Sequence, residues 1–556
     1  MLSAICTCAL AGPADPSRLQ YTQPDGSTVY YYMHGDEHLH WMTDENGNAI
    51  EIGEDGYVHP AQMPAEDEFS RAAKIRSAQS LRRIGRSTSL TGEHKFCVVL
   101  VQFNDVKFTK TKTHFNNFFN GTGAGSTASV KQYWTDQSDG KFIPSFDIHG
   151  PYTMDKNLSY YYSDGWSAKS ILINAIKYHQ TEDDQIDFTQ YTGNGSSGVE
   201  SVIMIFAGYS AASGAQSIWP CQGDDLASYS EDGVTLNSFC CGAELQGSSG
   251  STIAGIGHIC HELGHCFGMP DFYDTERTSD QNHIAADPCY TFSLMDHGSY
   301  KDNSKTPPPL SMVEKYLCGW VSNLTTDGIQ TVSSSSDISL AEIGQGSGTR
   351  AIRINTDTRN EFFICEFRSS NTSINKWSKG LPKGGMVVFH VDRTSSWGVA
   401  PNNDWQHPMY YLVNASDQDY IQLYSDRSST PWSSFPFPGN ANINSYNPVS
   451  WSGTDTYVSL TGMPNIGASS TNTSISVKAH VRSFPLINNP CKGIYSAGSR
   501  FALKLSPGSQ GSETVSSWYF DGTETTDDSV TLSTGSHTVE AVLASGKRLR
   551  LEITVK

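Results

Sequence analysis

The sequence predicts an α+β multidomain chain in which a mixed helix–strand domain is followed by all-β sandwich domains. Three observations carry this. At 556 residues the chain is too long for one hydrophobic core. Between about 91 and 325, apolar strand-like runs alternate with amphipathic helical stretches. From about 326 to the end no long helical period remains, and short strands recur between Gly, Asn, Ser and Pro turns.

Composition narrows the class. Lys and Arg number 38 against 57 Asp and Glu, a formal net charge of -19. A nucleic-acid or anionic-membrane partner would want a basic face, so neither is expected. Abundant Gly, Ser, Thr, Asn and Tyr suit an extracellular, turn-rich protein. Residues 1–15 read as a signal-peptide remnant: a short apolar start ends in Ala9-Leu10-Ala11, a small-x-small processing pattern. Cys6 and Cys8 raise a lipoprotein anchor, but neither follows a convincing apolar run. No later stretch approaches the ~18 apolar residues of a membrane span. An exported monomer is expected. Of the remaining ten cysteines, seven fall between Cys221 and Cys318. Export makes disulfides around this region plausible, with no readable pairing.

Residues 17–62 read as strands, with turns at Asp44–Gly47 and Glu54–Gly56. His38 and His40 share a strand face, which a solvated surface explains as well as a metal does. Residues 65–90 form a basic, helix-like linker carrying Arg71, Lys74, Arg76, Arg82, Arg83 and Arg86. It is either a cleavable junction or a solvated connector. Next come a buried strand at 96–103, a Gly-closed helix at 129–140, a strand at 141–152, a helix at 167–178 and a buried strand at 201–207. A helix at Ser311–Leu317 closes this region near 325.

The chemistry centres on His261-Glu262-Leu263-Gly264-His265. A buried helix is expected from Thr252. The i, i+4 spacing puts both imidazoles on one face, at two corners of a zinc tetrahedron. Glu262 sits beside the first ligand, placed to touch metal-bound water. Gly268 can end the helix in a left-handed conformation and Pro270 stiffens the turn. Asp271 can then swing in as third ligand, its rivals being Asp274 or a carboxylate from further along the chain. Only three protein ligands are needed, so His258 reads as a packed residue, and His297 is equally ambiguous. Asp271, Asp274 and Glu276, with Asp280 and Asp287, offer oxygens for Ca²⁺ but lack EF-hand order.

Several motifs together resemble the immune inhibitor A family of secreted bacterial zinc metallopeptidases, metzincin-like zincins. They are Ser129–Lys141, Gly150-Pro-Tyr152, His261–His265 through Pro270–Asp274, Ser293-Leu-Met295, and Gly298-Ser-Tyr300. Gly35–Trp41 resembles the family's pro-segment, and Glu366-Phe-Arg368 and Phe389–Asp392 its β domain. The family's usual clan signature has His where this chain has Asp271. The resemblance implies a zincin-like catalytic domain binding Zn²⁺ through His261, His265 and Asp271. It implies Glu262 as general base and Met295 as the apolar floor of a methionine turn. Tyr300 could help stabilise the oxyanion. The implied organisation is a pro-segment and linker at 16–90, a catalytic domain at 91–325 and a β-sandwich-like domain at 326–482. The rhythm of 483–556 suggests an immunoglobulin-like β domain. Protein or peptide substrates follow, with the strand at 201–207 as the rim on which an extended peptide pairs. The competing readings are an exported glycan- or protein-binding chain with an inactive site, and a zinc hydrolase of non-peptide substrates. An intact Glu262 beside intact ligands argues against the first.

Overall fold

A computed structural model describes residues 12–15, 17–36, 38–53, 55–65, 67–69, 71, 90–121, 128–163, 166–192, 198–223, 226, 229–275, 287–398, 400–404, 407–415, 432–488, 494–506 and 513–555. The signal-peptide reading of 1–11, most of the basic linker, Glu276, Asp280 and Cys491 lie outside the described residues.

The N-terminal unit is an antiparallel meander of β1 (Leu19–Thr22), β2 (Thr28–Gly35), β3 (His40–Thr43), β4 (Ala49–Ile52) and β5 (Val58–Pro60). Its buried Leu19, Tyr31 and Met33 join a core made mostly by the next unit, so it packs against that unit directly. His34 pairs with Thr43 and His40 with the Asp36 carbonyl.

That next unit is built on a five-stranded sheet. Its strands are β6 (Gly92–Gln102), β7 (Phe142–Thr153), β9 (Val202–Tyr209), β10 (Gln222–Gly223) and β13 (Phe239–Leu245), in the order β10-β13-β9-β6-β7. A small side sheet adds β8 (Gly198–Val199), β11 (Ser230–Glu231) and β12 (Val234–Leu236). In the main sheet all pairings are parallel except β10 with β13. The apolar runs of β6 and β9 are buried on both faces, as central parallel strands require. β9 lies between β6 and β13 and has no free edge. The expectation that 201–207 forms a peptide-pairing rim is therefore overturned. The edges of the sheet are β7 and the two-residue β10, the latter too short to show any periodicity in sequence.

Helices cover this sheet: α1 (Lys112–Asn120), α2 (Val130–Gln137), α3 (Leu158–Ser163), α4 (Ala168–Tyr178), α5 (Ile256–Cys266) and α6 (Met312–Leu317). α2 starts at Ser129, whose hydroxyl accepts from the Gln132 amide, and buries Tyr133 and Trp134 completely. α5 starts at Ile256, later than the expected Thr252. Residues up to 254 stay extended, because the Ala254 amide bonds the Glu244 carbonyl on β13. The loop 299–304 then crosses the helix start so closely that a Cβ on Gly255 would lie 2.1 Å from the Ser304 carbonyl oxygen.

Residues 326–482 form two facing sheets. The first orders Ile329–Thr331, Ala351–Asn355, Glu361–Arg368, Gly385–Asp392 and Tyr410–Val413. The second orders Ser336–Ala341, Ser474–Val481, Val458–Thr461 and Ser445–Tyr446. Ile338, Phe363, Val388, Leu460 and Val477 fill the space between them. The other face of the first sheet gives Phe362, Ile364, Phe389 and Tyr410 to the core of the helix–sheet unit. The last unit is a five-stranded sheet plus a two-stranded one around its own core of Phe501, Leu532, Val539, Ala541 and Ile553.

No disulfide joins any of the nine described cysteines, and eight of them are buried. The expected disulfides are absent among the described residues. Cysteine acts here as a small apolar core residue, and Cys221 Sγ, just before β10, stands 3.8 Å from Cys241 Sγ on β13. No helix among the described residues is long and apolar enough to cross a membrane.

Candidate metal centre

α5 buries His261, Glu262 and His265. The helix ends at Phe267, whose amide bonds the Leu263 carbonyl. Gly268 takes φ 94°, and the Met269 amide returns to the Gly264 carbonyl. This left-handed exit sends the chain back under the helix and delivers Asp271, 1 % exposed, to the two histidines.

Three atoms converge there. His261 Nε2 and His265 Nε2 lie 3.1 Å apart, and Asp271 Oδ1 is 3.3 and 3.2 Å from them. Metal–ligand bonds of roughly 2.0–2.1 Å in a tetrahedron put neighbouring ligand atoms about 3.3 Å apart, the size of this triangle. The other ring nitrogens are committed: His261 Nδ1 donates to the Leu294 carbonyl at 3.0 Å and His265 Nδ1 to the Met269 carbonyl at 2.9 Å. Both Nε2 atoms therefore present lone pairs toward a carboxylate oxygen, an arrangement that a cation resolves. Without a cation, burial works to raise the Asp271 pKa, but positive charge on His265 and His261 outweighs it and holds the carboxyl below its ordinary value. The donor set suits zinc. Asp274, also buried, is not part of this triangle.

Met295 packs beneath α5. A Cβ on Gly264 would meet Met295 Sδ at 2.6 Å and Met269 Cε at 2.8 Å, so only glycine lets both thioethers reach the helix backbone. The turn bearing Met295 is anchored from behind. Ser293 Oγ bonds both the Met295 amide and, at 2.6 Å, Glu314 Oε1, and Glu314 closes the capping box of α6 with Ser311. Glu366 accepts from the Met312 amide and pairs at 2.6 Å with fully buried Arg368, tying the β domain to the same turn.

Tyr300 lies beside the site, its ring 4.4 Å from that of His258. Burial, with Asp15 and Glu262 nearby, pushes its phenol pKa well above the usual value, so it stays a donor. His258 has its pKa lowered to about 4 by burial and by His261. It lies outside the triangle, as expected. His297 instead groups with Asp287 and Asp296 in a second buried cluster of potential metal ligands, and this is where Asp287 falls. Asp296 there accepts the Cys289, Tyr290 and His297 amides.

The largest departure from expectation is at the N-terminus. Residues 12–15, read from sequence as part of the signal segment, lie in the cleft. The Gly12 amide donates to Glu262 Oε1 at 2.8 Å, and the Gly12 carbonyl accepts from Trp219 Nε1 at 3.2 Å. The Pro13 carbonyl accepts from Tyr300 Oη, and the Asp15 amide bonds the Ala212 carbonyl.

Residues 91–317 match the family model of the immune inhibitor A peptidase M6 catalytic domain. Over this span the chain is similar to an M6 metallopeptidase domain. No curated protein matches the chain. The matched span begins just before β6 and ends with α6, and so contains every residue of the triangle, Glu262, Met295 and Tyr300. Within the matched span, sequence reasoning missed Trp219 and the Leu294 and Met269 carbonyls. Leu294 and Met269 flank features that were read, the methionine turn and the post-helix bend. Trp219 carried no signal.

Proposed function

We propose that the chain is an exported zinc endopeptidase held latent by its own N-terminal segment. The observation that carries this is the His261–His265–Asp271 triangle with Glu262 beside it at the cleft. Zinc bound there supplies Lewis-acid polarisation of the scissile carbonyl and lowers the pKa of a bound water toward ~7. Glu262 takes a proton from the attacking water at its carboxylate and passes it to the leaving amine. Tyr300 holds the Pro13 carbonyl through its phenol. A substrate carbonyl placed like that of Pro13 would receive the same donor, which suits stabilising a developing oxyanion. Met295 does no chemistry and shapes the floor.

The Gly12–Asp15 segment supports latency, because it occupies both the base and the phenol. Export is supported by Ala9-Leu10-Ala11 immediately before Gly12 and by the family match. The substrates are then extracellular proteins or peptides.

The test is cleavage of casein or gelatin by the full chain after limited tryptic cutting in the basic stretch 71–86. Activity should vanish with a chelator and return with zinc. Asp271→Ala should retain less zinc than wild type, while Asp274→Ala should not. Cleavage untouched by chelation would refute the metal reading. Zinc loss in Asp274→Ala alone would refute the ligand set.

A further inference from the structure

Two members of the triangle are carried by a helix and the third is not. His261 and His265 sit on α5, whose backbone sets their spacing, whereas Asp271 follows the left-handed exit on irregular backbone. Its carboxylate stays 3.3 and 3.2 Å from the imidazoles only if the loop 269–275 is held from outside itself. One side of that hold lies within the helix–sheet unit. The Met269 amide returns to the Gly264 carbonyl, and the Phe272 amide donates to the Met295 carbonyl at 2.8 Å.

The other side comes from the β domain, 130 residues further along the chain. Asn402 Nδ2 donates to the Phe272 carbonyl at 2.8 Å and to the Tyr410 carbonyl at 2.6 Å, while Asn402 Oδ1 accepts from the Tyr410 amide at 2.9 Å. Asn402 is completely buried. These partners fix its orientation: turned over, the side chain would set an oxygen against two carbonyls and its NH2 against an N–H. Beside it, Asn403 Oδ1 accepts from the Thr275 amide at 3.0 Å, and Asn403 Nδ2 donates to Thr275 Oγ1 at 2.9 Å.

Phe272 is therefore gripped at three points. Its N–H is on the methionine turn, its C=O is on Asn402, and its buried ring packs on Tyr410 with centroids 4.5 Å apart and edge-on against Trp397 at 5.7 Å. Tyr410 in turn donates through its hydroxyl to Ser311 Oγ at 2.8 Å, at the cap of α6. A residue fixed at amide, carbonyl and ring leaves little freedom to the neighbour that precedes it, and that neighbour is Asp271. Buried polar networks of this kind rigidify the groups they join, and groups that orient a metal ligand tune the affinity for the metal.

We infer that Asn402 is a positioning residue for the metal, with Asn403 as its support: the β domain holds the Phe272 carbonyl so that Asp271 meets the two histidines. The inference rests on the ligand set proposed above. It makes the metal centre a joint product of two units. Two ligands are ordered by a helix inside the matched span, and the third by a loop clamped between the methionine turn and residues 402–403, which lie beyond that span. Asn402 acts through the backbone of residue 272, so its loss is felt at Asp271 and spares His261 and His265, whose Nδ1 atoms are held by the Leu294 and Met269 carbonyls.

The zinc affinity of the full, uncut chain is measured by competition with a chromophoric chelator, and the cobalt(II)-loaded chain supplies a visible spectrum that reports ligand geometry. Asn402→Ala should weaken zinc binding about tenfold, the lower end of what loss of a ligand-orienting group costs, and should shift the cobalt bands toward those of Asp271→Ala. Asn403→Ala, at a half-buried residue, should move both readouts the same way by a smaller factor. It decides the matter should Asn402→Ala fail to fold. Val477→Ala is the control: it opens a cavity in the sandwich core and destabilises the same domain, yet should leave zinc affinity and the cobalt spectrum as in wild type. Unchanged affinity in both asparagine variants, or an equal loss in Val477→Ala, would overturn the inference. Wild-type zinc affinity in Asp271→Ala would instead strike the ligand set itself.

Discussion

The Gly12 amide stands 2.8 Å from Glu262 Oε1, across 250 residues of chain. On the function proposed above, it puts backbone where the attacking water would sit, on the group that would deprotonate it. The contact is braced at three further points: Trp219 on Gly12, Tyr300 on Pro13 and Ala212 on Asp15.

Latency should therefore depend on the fit at Gly12. A Cβ there would come within 3.3 Å of Glu262 Oε1. Gly12→Val should unseat the segment and raise casein hydrolysis by the uncut chain above that of uncut wild type. After tryptic cutting at 71–86 the two should converge. Equal activity of cut and uncut wild type would remove the latency idea.

The methionine floor gives a packing prediction. Gly264→Ala pushes a methyl into Met295 Sδ and Met269 Cε, both fully buried. Overpacking of this kind costs typically 1–3 kcal/mol, readable in denaturant melts. A neutral substitution would show that the thioethers have room to retreat.

Lys301 gives a pH prediction. It is 3 % exposed, its ammonium bonds the Trp377 and Lys379 carbonyls, and burial lowers its pKa to about 7 despite Asp302. In the unfolded chain it titrates near the ordinary lysine value of 10.5. Between those values the unfolded state holds a proton that the folded state has released, so Lys301's contribution to stability rises with pH and is least favourable below about 7. The stability of wild type minus that of Lys301→Met should grow by roughly 2 kcal/mol between about pH 7 and pH 9. A flat difference would mean that the lysine stays charged in the fold.

The local parts of the site were legible because they obey short-range rules. His261 and His265 share a face through helical spacing, Gly268 bends the chain by its tolerance of φ 94°, and Asp271 follows at a fixed offset. What was not legible depends on contacts distant in sequence. Nothing at residues 12–13 announces that Glu262 and Tyr300 lie opposite. The rim was misplaced because the long apolar run of β9 is the mark of an interior strand, while one of the sheet's two edges, Gln222–Gly223, is only two residues long. The cysteines misled because export suggests pairing, whereas burial alone accounts for Cys97, Cys260 and Cys318. In the β domain, Glu366 and Arg368 were noted as a motif. Only the fold shows that they brace α6, with Arg368 Nη1 on the Pro309 carbonyl and Glu366 on the Met312 amide.

The most direct measurement compares wild type with Glu262→Gln, both as full chains cut at 71–86, on casein. Glutamine keeps the shape and leaves the His261, His265 and Asp271 donors in place, but it cannot take up the proton. The account predicts unchanged zinc content with cleavage lowered roughly 10²–10⁴-fold. Cleavage as fast as wild type would contradict it.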